Sequence, residues 1–330
     1  MNQEPYFTPR MSISYAPAAY MWQNGKAVRR GLLFKFSSGF YYQPPFYREF
    51  RTFDGNLALG VQSQKSFHAV LGSEFQFQMW GRSTPFKLNS ELYYKHLWDL
   101  NPYEIENVRT RYYATNNAVG YAYGLDVNVH GEFVEGIQSF FKVGLLSTRE
   151  DIDNDQYTIY YNAAGERIIF GYSEDQTVVD STVVFPGFIP RPTDQWFTFG
   201  ALVQDQMPGF EAFKVQMGLQ YGSRLPYGPP DFTRYKDTLR MRSYFRVDLG
   251  LSYDLLHHRT LTSSSQESAK FFSKRSHAID QALVSLEIFN ILGVNNVLSK
   301  QWIQDVQGKF YAVPNYLTQR LFNLKLSIVL

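Results

Sequence analysis

The chain has 330 residues, with 32 basic against 30 acidic side chains, no cysteine, and an aromatic content of 17% that includes 24 Tyr and 28 Phe. A net charge of +2 excludes the basic surface that nucleic acid or a polybasic membrane patch requires, and the missing thiols exclude disulfides, thiolate metal sites and cysteine nucleophiles. No stretch approaches the roughly 18 uncharged apolar residues of a spanning helix, and a mean hydropathy of -0.31 is compatible with lipid only through strands, where alternate residues alone meet the apolar phase.

Period-two alternation predicts strands near 6–16, 32–42, 66–80, 86–97, 121–133, 138–148, 196–206, 212–222, 243–255, 280–290, 297–305, 309–313 and 320–330. The register is clearest where Phe67, Ala69, Leu71, Phe75, Phe77 and Met79 alternate with His68, Val70, Gly72, Glu74, Gln76 and Gln78. Tyr121, Tyr123, Leu125, Val127 and Val129 oppose Gly124, Asp126, Asn128 and His130 in the same way. Phe213, Val215, Met217, Leu219 and Tyr221 oppose Lys214, Gln216, Gly218 and Gln220. At the end of the chain Phe322, Leu324, Leu326, Ile328 and Leu330 share one face, with Asn323, Lys325 and Ser327 on the other. Such strands exceed the mean length in soluble sheets and suffice for the 9 to 11 tilted residues that cross a bilayer.

The connections then fall into tight ones at 81–85, 134–137, 207–211 and 306–308 and long ones at 43–65, 98–120, 149–195 and 223–242, the two-sidedness of an outer-membrane barrel. The stretches 17–31, 256–279, 291–296 and 314–319 do not fit that scheme. The expected fold is all-β, an antiparallel transmembrane barrel with about 13 strands present. An odd count sets the first and last strands in the same direction, so they cannot close antiparallel, and an open edge cannot face lipid. No basic region followed by an apolar run stands at the N-terminus, so residues 1–330 read as the C-terminal part of a larger barrel, without signal peptide.

Several segments carry a family resemblance: "FYYQPPFYREFR" (Phe40 to Arg51), "KSFHAVLGSEF" (Lys65 to Phe75), "PFKLNSELYYKHLWDLNPYEIENVRTRYYA" (Pro85 to Ala114), "NNAVGYAYGLDVNVHGEFVEG" (Asn116 to Gly136), and "SLEIFNILGVNN" through "YAVPNYLTQRLFNLKLSIVL" (Ser285 to Leu330). They resemble the C-terminal barrel portion of TonB-dependent outer-membrane receptors of the Bacteroidetes type. The resemblance implies a barrel of about 22 strands closed by a plug, located in the outer membrane of a Gram-negative bacterium. It implies active uptake of a ligand such as a siderophore, oligosaccharide or peptide, energised through a periplasmic TonB contact. The implied partners are outer-membrane lipid, the plug and upstream strands, the TonB system and a surface lipoprotein; no cofactor is expected. The alternative reading is a passive outer-membrane porin or channel.

Candidate ligand contacts lie in the long connections. Phe46, Tyr47, Arg48 and Arg51 put aromatic faces and forked cations on the first, able to stack on and hydrogen-bond a ligand or equally to pack on the barrel rim. Tyr103, Arg109 and Arg111, with Glu104 and Glu106 close in sequence, pose the same choice against a loop ion-pair cluster. The run from Glu150 to Asp155 opens with the alternate carboxylates of a calcium loop, but Gln156 replaces the turn glycine and Asn162 the closing glutamate, so a solvated acidic loop is expected. His68, His96, His130, His257, His258 and His277 show no ligand-pair spacing, and no G-x-S-x-G string occurs, so neither a metal centre nor a hydrolase site is expected.

Overall fold

A computed structural model describes residues 6–329 apart from 19, 24, 30, 83, 135–136, 171–172, 208–209, 229–237, 257–280 and 307–308, so His257, His258, His277 and Leu330 lie outside the described residues. The described residues form strands and loops, with no helix long and apolar enough to cross a membrane. One antiparallel sheet contains, in chain order, β1 (Arg10–Tyr15), β2 (Leu32–Gln43), β3 (Gln64–Phe77), β4 (Phe86–Leu100), β5 (Ala118–Val134), β6 (Ile137–Ile152), β7 (Phe197–Met207), β8 (Phe210–Gly222), β9 (Tyr244–Asp254), β10 (Gln281–Phe289) and β11 (Leu321–Val329). Each pairs with the next, and no ladder joins β1 to β11 among the described residues.

The register turns the sequence alternation into two chemically distinct faces. Ile13, Phe36, Leu71, Leu92, Leu125, Leu145 and Phe197 stand opposite one another across β1 to β7 as an unbroken apolar row. It is an outward surface: Leu71 is 54% and Leu92 56% exposed. The other face carries Glu74, Asn89, Asn128, Lys142, Gly200, Gln220 and Arg246 in one row across β3 to β9. There Glu74 is paired with Lys35 and, at 3.0 Å, with Lys87. In β11 the pattern reaches the end of the described chain: Phe322, Leu324, Leu326 and Ile328 are exposed, while Asn323 Nδ2 donates to Glu287 Oε2 of β10 at 2.9 Å.

At the short-connection end, Phe77, Trp80, Phe86, Phe133 and Phe141 pack ring against ring. Phe86 is fully buried there because Gly131 opposite leaves room for its ring; a Cβ on Gly131 would lie 2.5 Å from Phe86 Cδ1. The buried apolar cluster of Leu97, Leu100, Ala118, Ile152 and Ile189 lies at the other end, at the root of the long connections.

All thirteen predicted segments are extended, but only eleven belong to the wall. Val297–Gln304 and Phe310–Tyr316 pair with each other and, among the described residues, with no wall strand, as a separate hairpin between β10 and β11. This resolves two of the exceptions in the connection pattern. The whole of 290–320 is one long connection at the end that also holds 44–63, 101–117, 153–196 and 223–243. The opposite end keeps 16–31, which carries a hairpin of Tyr20–Gln23 with Lys26–Arg29, and 255–280 as its longer connections.

Candidate functional site

The long connections are built rather than loose. Within the long connection expected at 98–120, residues 103–112 form a hairpin, Tyr103–Glu106 with Arg109–Tyr112. Its turn residue Asn107 has φ +56°, a conformation asparagine tolerates better than most residues. Directly opposed pairs place Tyr103, Ile105, Thr110 and Tyr112 on one face and Glu104, Glu106, Arg109 and Arg111 on the other.

Two asparagines bind this second loop to the first. Asn101 Nδ2 donates to the Glu49 carbonyl at 3.2 Å, while Asn101 Oδ1 accepts from the Ala114 amide at 2.8 Å. Asn116 exchanges hydrogen bonds with the Gln62 backbone, accepting at 2.7 Å and donating at 3.1 Å, and also donates to the Asp99 carbonyl at 2.7 Å. Glu49 is buried and accepts from Gln64 Nε2 at 3.1 Å. Burial raises its carboxyl pKa above the ordinary value, against the pull of those hydrogen bonds.

The outcome is a cleft of about 620 Å³ in which Arg48 and Arg51 of the first loop face Arg109 and Arg111 of the second, with Thr110 and Tyr112 in the wall. Burial holds the Tyr112 phenol above its ordinary pKa, so it stays a neutral hydroxyl. The four arginines named from sequence therefore converge. Arg111 is committed to structure: it pairs with Glu106, donates to the Phe53 carbonyl at 2.8 Å, and lies over the Phe53 ring at 5.2 Å. Arg48 Nε donates to the Tyr47 hydroxyl at 3.0 Å.

Phe46 and Tyr47 are exposed on the same loop but do not line the cleft. Tyr103 packs behind it, its ring 5.6 Å from that of Tyr112. Thr110 and Tyr112 line the cleft although alternation puts them on the hairpin face opposite Arg109 and Arg111; Tyr112 stands beside Arg111 in the sequence, and Thr110 carries no sequence signal of its own.

Further loops close the same rim. Arg191 Nε donates to Glu150 Oε2 at 2.8 Å, and Glu150 is fully buried; burial lowers the Arg191 pKa. Asp194 accepts from the Thr148 amide at 2.9 Å and from Arg240 at 2.6 Å. Ser299 Oγ of the last hairpin donates to Asn107 Oδ1 at 3.2 Å, so the second and last loops touch. The acidic run is less solvated than its sequence suggests: Asp155 is buried, and burial, followed by the charge of Asp151, raises its pKa. The described residues hold no group of three His, Asp or Glu side chains placed to bind a metal.

No protein-family model and no characterised protein sequence matches the chain. Solved structures do. A chain of the FpvAI-pyocin S2 complex is similar over 95% of this chain and 32% of its own length, at 10% identity and a TM-score of 0.50. The outer membrane transporter YddB from Escherichia coli is similar over 90% of this chain and 38% of its own, at 13% identity and a TM-score of 0.50. The ferric-catecholate import receptor Fiu from E. coli K12 aligns over 89% of this chain and 32% of its own, at 14% identity and a TM-score of 0.47. The chain thus spans about a third of the length of the structures it matches. At these identities the likeness is one of fold. The resemblance to TonB-dependent receptors drawn from the sequence holds at the level of fold: an antiparallel sheet like that of these barrels, with no ladder between β1 and β11 among the described residues.

Proposed function

We propose that the chain is wall and loops of a TonB-dependent receptor in the outer membrane of a Gram-negative bacterium, and that it is not an enzyme. The observation carrying this reading is the continuous eleven-strand sheet with one exposed apolar face, one polar face, and its longest structured loops gathered at one end. A face of this size demands cover, and hydrocarbon covers it without a second layer of protein. The polar rows then border a hydrated lumen, and the loop layer captures the ligand on the outer side.

In this reading the lumen plug, about half of the 22 strands of such a barrel, and the contact with the TonB system come from polypeptide beyond this chain. A surface lipoprotein over the mouth is a further partner. Phe46, Tyr47, Arg48, Arg51, Tyr103, Arg109 and Arg111 belong to the loop layer that meets a siderophore, oligosaccharide or peptide. The test is uptake by the full-length receptor in cells with and without TonB. Uptake is expected to be lost without TonB, and Arg48→Ala with Arg51→Ala is expected to reduce it several-fold at unchanged membrane abundance. Uptake that persists without TonB would mean a passive channel instead.

A further inference from the structure

We propose that the cleft between the first two long loops is an oxyanion subsite, in which Arg48, Arg51 and Arg109 receive carboxylate or phosphate groups. The proposal deepens the uptake reading and rests on it for placing the cleft on the outer side of the membrane.

Four guanidinium groups line one cavity, and no Asp or Glu lines it. Gathering like charges is unfavourable unless counter-charge is at hand, and the nearby carboxylates stand outside the lining. Glu106 pairs with Arg111. Glu104 accepts from the Tyr113 hydroxyl at 2.5 Å. Glu49 accepts from Gln64 Nε2 at 3.1 Å and does not line the cleft. Asp54 is exposed on the first loop and outside the cleft lining.

Arg111 is spent on Glu106 and Phe53, which leaves three guanidinium groups. Arg51 and Arg109 have no ion pair or side-chain hydrogen bond among the described residues, and Arg48 has only the Tyr47 ring and hydroxyl. An arginine fork suits a planar carboxylate or a phosphate edge, donating two parallel hydrogen bonds where lysine offers a point charge. The Thr110 and Tyr112 hydroxyls in the same wall supply neutral donors. Asn101 and Asn116 fix the two loops against each other, so the arginine spacing is set before any ligand arrives.

Two sources offer this chemistry: a diffusible polyanionic solute, and the phosphates of lipopolysaccharide in the outer leaflet. The full-length receptor, purified in detergent and freed of lipopolysaccharide, is titrated calorimetrically with citrate and separately with lipopolysaccharide. The parent protein is expected to saturate with one of them, in a salt-dependent manner. Arg51→Gln with Arg109→Gln should weaken that binding at least about tenfold, and the double lysine variant should recover only part of it. Saturation by citrate assigns the site to a solute; saturation by lipopolysaccharide alone assigns it to lipid phosphate. Equal titrations of parent and double glutamine variant, with unchanged melting, overturn the proposal. Binding in detergent needs no energy supply, so it fails independently of the TonB test.

Discussion

The wall and the loop layer of this molecule are held by opposite chemistries. In the wall, polarity alternates residue by residue: Leu71 and Leu92 stand exposed on one face while Glu74, three rows along on the other, is satisfied by Lys35 and Lys87. In the loop layer the tightest contacts are polar and buried: Glu150 with Arg191, Asp194 with Arg240, Asn101 with Glu49. The wall is inside out relative to a soluble sheet, and the loops hold these buried polar groups as a soluble core would, in pairs. Fold stability and ligand geometry are thereby separated: the wall tolerates change on its polar face, and the loops tolerate little change at their ties.

The comparison breaks most sharply at Arg191. Arg191→Ala leaves Glu150, fully buried, without its cation. The expected cost is about 3 to 5 kcal/mol, read as a lowered melting temperature and new protease cleavage between 153 and 196, with wall strands still protected. A next, slightly smaller effect tests the wall. Leu71→Arg puts a cation into the middle of the apolar row and should cost about 2 to 4 kcal/mol in urea unfolding from bilayers, whereas Gln216→Arg on the exposed polar face should be nearly neutral. Equal damage from the two would show that both faces meet the same medium.

The wall was legible because its rule is local. A period of two survives at every strand from β1 to β11, and the two faces it predicts are the faces observed. The same locality explains the overcount, since 297–305 and 309–313 alternate as wall strands do while pairing only with each other. Pro314, inside Phe310–Tyr316, was the available correction, because proline cannot donate to the ladder of a central strand. The loop layer was legible in its charged residues and illegible in its frame. Arginine clusters are visible as composition, so the four cleft arginines could be named. That Asn101 joins 49 to 114, or that Arg111 serves Phe53 and Glu106 rather than a ligand, depends on contacts between loops distant in sequence.

The smallest expected effect sharpens the difference between the regions through pH. Burial disfavours the ionised form of Glu49, so its folded pKa stands above the unfolded one. The neutral carboxyl is then the form that folding prefers. Its contribution to holding the first loop is complete below the ordinary carboxylate range and declines as pH rises through the raised value. Asp155, raised for the same reason and by its acidic neighbours, adds in the same direction in the third loop. Amide exchange across 44–63 and 153–156 should therefore accelerate as pH rises, after correction for intrinsic exchange, while the wall shows no matching change. Glu49→Gln should flatten the response of the first loop and leave that of the third intact, because the substitution keeps a neutral polar group beside Gln64 and touches nothing around Asp155. A response that survives in the first loop would move the titrating group away from Glu49.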